Sequence, residues 1–226
     1  MTTSTVLKRL SKISIAIAAF TAIGIATSAS ARAASVVLLE DNFDTENGGA
    51  GMLNYNNFTN WNVTDGTVDL IGSNNFYNYL SGNGLYVDTD GSSLMAGKLE
   101  SKAAFTFDVG DIFNLTFQLA GDQRNNGNNS VNVSLGSLFN QTFTLPSTDN
   151  FTTFTRNITV TSATTAKLAF DGVGGDNIGL LLDNVKLTKT TSVPEPTSII
   201  GVLAFGAFSA TSLCKRKQLQ KAAVKA

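Results

Sequence analysis

Through the middle of the chain, apolar and polar residues alternate with a period of two. Phe113, Leu115, Phe117 and Leu119 interleave with Ile112, Asn114, Thr116 and Gln118. Ala104–Phe107, Val131–Leu135 and Ile158–Thr161 repeat the pattern. Such alternation marks strands with one face in a core and one in water. Further strands are predicted at Val36–Glu40, Trp61–Val63, Thr67–Ile71, Leu85–Asp88, Gln141–Leu145, Lys167–Phe170 and Gly179–Leu187. Asn47-Gly48-Gly49, Gly82-Asn83-Gly84, Gly121–Asn129 and Gly172–Asp176 punctuate them as loops. No 3.6-residue period appears outside the two ends, and no internal repeat. Roughly ten short strands at this spacing predict an all-β fold, an antiparallel β-sandwich of jelly-roll type.

The ends follow other rules. Lys8, Arg9 and Lys12 precede an uncharged run, Ile13–Ala26, and the small residues Ala29-Ser30-Ala31 and Ala31-Arg32-Ala33. This order predicts a signal peptide over 1–33, its helix removed after Ala33. The β-sandwich domain then spans 34–192. Beyond it stand Val193-Pro194-Glu195-Pro196, an apolar run from Ser198 to Leu213, and Lys215-Arg216-Lys217. The two prolines exclude regular helix or central strand there and form a stiff spacer. The apolar run is near the lower limit for a transmembrane helix, and the basic cluster would stay cytoplasmic. Residues 218–226 would be a cytoplasmic tail.

The 193–217 segment resembles the PEP-CTERM sorting signal of cyanobacteria and Gram-negative bacteria, also called the ice-binding protein C-terminal domain. The resemblance implies recognition by an exosortase, cleavage near Pro194-Glu195-Pro196, and delivery to the cell envelope or extracellular matrix, where exopolysaccharide is the expected company. No regular Thr-x-Thr ladder supports ice binding itself.

Composition narrows the chemistry. The 226-residue chain has no histidine and one cysteine. A Ser-His-Asp triad, a His-ligated metal and an intramolecular disulfide are therefore excluded. The whole chain carries −1, yet residues 34–192 hold sixteen acidic and seven basic side chains. The basic residues crowd into the ends. Such an acidic domain does not bind nucleic acid non-specifically, which requires phosphate neutralisation. It suits calcium and neutral ligands. None of its three glutamates, Glu40, Glu46 and Glu100, lies in an aromatic-rich context with another acid. A non-catalytic role is expected, because a glycosidase needs two carboxylates facing across a cleft. Eight Asn-x-Ser/Thr tripeptides fit strand alternation better than glycosylation.

Leu38-Leu39-Glu40-Asp41-Asn42-Phe43-Asp44 opens the domain, and Leu180–Leu187 with Asp183-Asn184 closes it. With Trp61, this pairing resembles carbohydrate-binding jelly rolls of the galactose-binding-like superfamily. That resemblance implies adjacent first and last strands sharing a structural calcium. Alternation places Leu181, Asp183, Val185 and Leu187 on one face, so Asp183 needs a cation or hydrogen-bond donors there. Glu40, Asp41, Asp44 and Asp183 are the candidate Ca2+ ligands; a metal-free cap of Asp183 by backbone amides of the N-terminal turn is the alternative. Asp88-Thr89-Asp90-Gly91 resembles the start of a calcium loop, but Ser93 and Leu99 stand where that loop needs glycine and glutamate, so a tight turn is expected.

Aromatic residues gather at Asn74–Tyr79 among asparagines. Sugars stack their C–H faces on rings and pair their hydroxyls with amides and acids. Phe76, Tyr77, Tyr79 and the loop residue Arg124 are the candidate ligand-binding set. Two readings remain: an exported structural or matrix protein, or a carbohydrate-binding module for exopolysaccharide. Trp61 and Tyr86 are expected in the core under both.

Overall fold

The computed structural model describes residues 35–73 and 76–191. The signal peptide, the sorting motif Val193, Pro194, Glu195, Pro196 with Lys215, Arg216, Lys217, and the expected membrane helix lie outside these residues. Thirteen strands are present among the described residues: β1 (Ser35–Asp41), β2 (Trp61–Asp65), β3 (Asp69–Ile71), β4 (Tyr86–Asp88), β5 (Lys98–Ser101), β6 (Phe105–Phe107), β7 (Ile112–Ala120), β8 (Asn128–Leu135), β9 (Phe139–Pro146), β10 (Thr152–Thr159), β11 (Thr164–Ala166), β12 (Leu168–Val173) and β13 (Leu181–Thr190). A six-stranded sheet runs β10-β7-β13-β4-β3, with β1 also on β13. A five-stranded sheet runs β2-β5-β12-β8-β9, and β6 pairs β11 alone. All these strand pairs are antiparallel.

The expected all-β antiparallel sandwich is therefore observed. Phe117 of the six-stranded sheet meets Phe143 and Phe170 of the five-stranded one at ring distances of 5.1 and 5.3 Å. Trp61 is fully buried against Phe43 and Phe170, and its Nε1–H donates to Asp41. Two strands and the first six residues of β10 escaped the alternation rule. In β5 the inward positions are Leu99 and Ser101, so only one is apolar; the Ser101 hydroxyl donates to Ala103 O and accepts from Leu168 N. β11 is three residues long. β10 begins at Thr152 rather than Ile158, because as an edge strand its positions stay largely polar.

A second apolar cluster forms separately from this core. Ile71, Tyr86, Ala120 and Leu181 are covered by Phe76, Tyr79, Leu80 and Phe151. The aromatic loop between β3 and β4 is thus seated on the sheet. The Tyr86 hydroxyl accepts from Leu80 N and donates to Tyr77 O, which fixes the loop's course.

The predicted phase of β13 needs correction. Leu182, Val185 and Leu187 enter the main core, whereas Leu181 joins the second cluster. The pairing of β13 with β7 shifts register between Asp183 and Lys186, and Asn184 has φ of 49°. One extra residue there moves Asp183 off the face of Val185 and Leu187.

Candidate functional site

The loops carrying Tyr77 and Tyr79, Arg124, and Asn177 converge on a cleft of 110 Å³. Leu53, Asp69, Ile71, Asp88 and Ser92 complete its walls. Three of the four candidate ligand residues, Tyr77, Tyr79 and Arg124, thus come together. Phe76 does not join them. It lies half-buried on the second cluster, edge-on to Tyr77 at 5.0 Å, and props that ring outward. Tyr77 is 45% exposed.

Arg124 organises the cleft. Its Nη2 donates to Asp88 Oδ2 at 2.6 Å and its Nη1 to Asn177 O at 2.9 Å. Its Nε stands 3.6 Å from Asp122 Oδ1. The guanidinium lies 5.3 Å from the Tyr79 ring centroid, a cation–π distance. Asp88 Oδ1 accepts from the amides of Asp90 and Gly179. Even so, burial pushes the Asp88 carboxyl up to about 7, while Arg124 and the amides pull it down. Burial also raises the Tyr79 phenol, with Arg124 opposing. Asp69 is held by the amides of Asn54 and Ser92 and by the Ser92 hydroxyl. Asp122 accepts from Arg124 N, Ser147 Oγ and Asn129 Nδ2.

The cleft walls are set before any ligand arrives. Tyr77 and Asn177 hold φ of 48° and 65°. Positive φ in a tyrosine is uncommon and persists only where the surroundings impose it. Here the Tyr86 hydroxyl and the Asn177 side chain, which accepts from Leu94 N at 2.6 Å, impose it.

Sequence reasoning missed Asp69, Asp88, Asp122 and Asn177. The one signal at Asp88 was the Asp-Thr-Asp-Gly run, read as a turn. The chain does bend there, but Asp88 and Asp90 are both turned inward and buried.

The four candidate calcium ligands are placed differently. Glu40 pairs with Lys186 Nζ at 3.0 Å. Asp41 Oδ1 accepts from Phe43 N, and its Oδ2 from Asn60 Nδ2 and Trp61 Nε1. Asp44 Oδ1 accepts from Leu85 N and its Oδ2 from Asn42 Nδ2. Asp183 is 1% exposed and accepts from the backbone and side chain of Asn184. These donors come from the bulge, not from the N-terminal turn. Burial pushes the Asp183 carboxyl up to about 7; Asn184 N lowers it, and Asp44 and Asp41 raise it further. An open polar depression of 530 Å³ adjoins, lined by Glu40, Asp41, Asn42, Thr116, Asn184 and Lys186 among others. Among the described residues, no group of three or more Asp, Glu, His or Cys side chains stands ready to hold a metal ion.

Compared with protein-family models and with curated proteins, the sequence matches none. Solved structures with loosely similar strand arrangements include the K3 cleaved adhesin domain of Lys-gingipain from Porphyromonas gingivalis, with TM-score 0.44 and 15% identity over 69% of this chain and 99% of that one. The C-terminal CBM6 of a marine laminarinase from Zobellia galactanivorans gives TM-score 0.38 and 13% identity over 70% and 100%. The CBM22-1 xylan-binding domain from Paenibacillus barcinonensis gives TM-score 0.40 and 11% identity over 72% and 100%. Likeness of this extent assigns neither ligand nor activity to the present chain.

Proposed function

We propose that the domain is a non-catalytic carbohydrate-binding sandwich of jelly-roll type on an exported protein. One observation carries the binding reading: two tyrosines, one of them well exposed, meet a fixed guanidinium, two carboxylates and an amide in one preformed cleft. Rings offer stacking faces, and Asp69, Asp88 and Asn177 offer acceptors for hydroxyls. The carboxylates are engaged by amides, a hydroxyl or Arg124, which suits recognition rather than proton transfer. A glycan array with the full chain tests the reading. Binding lost in Tyr77→Ala is the expected result, and silence on every glycan refutes it.

The Phe76 loop, seated on the sheet, favours a second reading, in which the sandwich is a structural matrix element without a ligand. Export, exosortase sorting and delivery to the envelope rest on the two terminal segments alone. Cell fractionation with Pro194 and Pro196 replaced by alanine tests them; unchanged location refutes sorting.

A structural calcium is a further reading, narrowed to Asp183 with Asp44 and Asp41. Burial raises the Asp183 carboxyl and the charges of Asp44 and Asp41 raise it further, which a cation would offset. The donors already on Asp41 and Asp44, and the pairing of Glu40 with Lys186, leave the fit incomplete.

A further inference from the structure

The cleft has a neighbour that the candidate residues did not anticipate. Tyr79 is shared by the 110 Å³ cleft and by a second, larger depression of 350 Å³. Leu80, Ser81, Asn83, Asn150 and Phe151 line the rest of that second depression. One residue therefore borders both hollows. Phe151 is edge-on to buried Tyr86 at 5.5 Å, which sets its position. The two sides are also tied through the backbone. Gln123 Nε2, beside Arg124, donates to Gly121 O and to Asp149 O, beside Asn150. Gln123 N donates to Ser147 O.

Charge adds a second constraint. Among the described residues, Arg124 is the only cation lining either hollow. Asp88 and Asn177 O take its two terminal nitrogens, and Asp122 faces the third. Asp69, Asp88 and Asp122 outnumber this single cation, so an anionic ligand meets net negative charge even though the guanidinium keeps unused N–H donors. The second hollow offers hydroxyl, amide and ring, with no charge.

We propose that the two hollows act as one groove for an internal stretch of an uncharged polysaccharide, which crosses the Tyr79 ring and fills both sides. This deepens the carbohydrate reading and rests on it. In this arrangement Tyr77 and Tyr79 hold a disaccharide stretch, Phe151 and Asn150 hold sugars beyond it, and Arg124 is a positioning residue beneath Tyr79.

Affinity electrophoresis of the full chain in xylan, mixed-linkage β-glucan, galactomannan, alginate and polygalacturonate gives the first test. Retardation by at least one neutral polymer and by neither acidic one is expected. Calorimetry with the disaccharide and hexasaccharide of the neutral polymer that binds gives the second. The hexasaccharide is expected to bind at least about tenfold more tightly, since a second stacked ring adds on the order of 1.4 kcal/mol, equal to tenfold. Asn150→Trp, at an exposed position, should obstruct the second hollow and remove that gain while sparing the disaccharide. Phe151→Ala should act likewise, with its fold checked by thermal melt. Tighter binding to alginate or polygalacturonate, equal affinity for short and long sugars, or an Asn150→Trp protein that keeps the gain would each overturn the groove and leave the carbohydrate reading standing. Binding to none of the five polymers, with silence on the glycan array, overturns both.

Discussion

Removal of the Arg124 side chain should destabilise the protein in a pH-dependent way. Asp88 is 2% exposed, and burial lifts its carboxyl from 3.8 to about 7 although the guanidinium stands 2.6 Å away. At roughly 1.4 kcal/mol per pH unit, that rise corresponds to about 4 kcal/mol at most. The folded state holds this proton more tightly than the unfolded chain. Below about pH 4 both states are protonated and Asp88 carries no penalty. Between there and about pH 7 the unfolded chain releases its proton first, so this contribution falls as pH rises; above that it is flat.

Arg124 lowers the Asp88 pKa, so Arg124→Ala raises it and extends the falling limb upward. Loss of one partner of a buried pair costs about 3–5 kcal/mol. Arg124 is itself 25% exposed, so water screens part of that. We expect a loss of about 2 kcal/mol at pH 8 and under about 1 kcal/mol at pH 5. The remainder at pH 5 comes from the bond to Asn177 O and the contact with Tyr79, which do not titrate there. Urea unfolding at both pH values measures this, with Asp88→Asn and the double variant closing the cycle. At pH 8 the double variant should be more stable than Arg124→Ala alone. A penalty equal at both pH values, or larger at pH 5, or no recovery in the double variant, would refute the account.

Trp61→Ala should cost about 3–5 kcal/mol in the same assay, because it empties the space between Phe43 and Phe170 and frees an acceptor on Asp41. Trp61→Phe should cost clearly less, and equal losses would show that ring volume is not what matters. Gly84→Ala places a methyl over Asp44 Oδ1 at a φ of +73°, so a loss of about 1–3 kcal/mol is expected; an unchanged melting midpoint would refute the close approach. A thermal melt with calcium against chelator tests the metal reading: a higher midpoint with calcium that Asp183→Asn abolishes would support it, and an unchanged wild-type midpoint removes the cation.

The sandwich was legible where one face of a strand is uniformly apolar. In β7 every second residue from Phe113 to Leu119 is fully buried, and alternation placed the strand within one residue at either end. β5 was illegible because Ser101 satisfies its own hydroxyl inside, so an inward position looks polar. β13 was legible as a strand but not in phase. Periodicity assumes one residue per step, and the extra residue at Asn184 breaks it without altering composition. Asparagine tolerates positive φ, but Asn is common throughout this chain, so the residue type alone did not single out the bulge.

The cleft was legible only in its local part. Tyr77 and Tyr79 stand close in sequence, and their crowding among asparagines drew notice. Arg124 drew notice as a residue of the polar loop Gly121–Asn129. Its partners did not, because Asp88 lies 36 residues before it and Asn177 lies 53 after it. Sheet order closes those gaps: β4 and β7 both flank β13, so the loops at their ends meet although they are distant in the chain. Asp88 also carries two contradictory signals. It is the polar end of an apolar strand, which reads as the start of a solvated turn, yet three donors turn it inward. A carboxylate so enclosed is tolerable only while Arg124 and the two amides stay in place. The same enclosure holds Tyr79 where it borders both hollows, so the stability of the pair and the shape of the groove should change together.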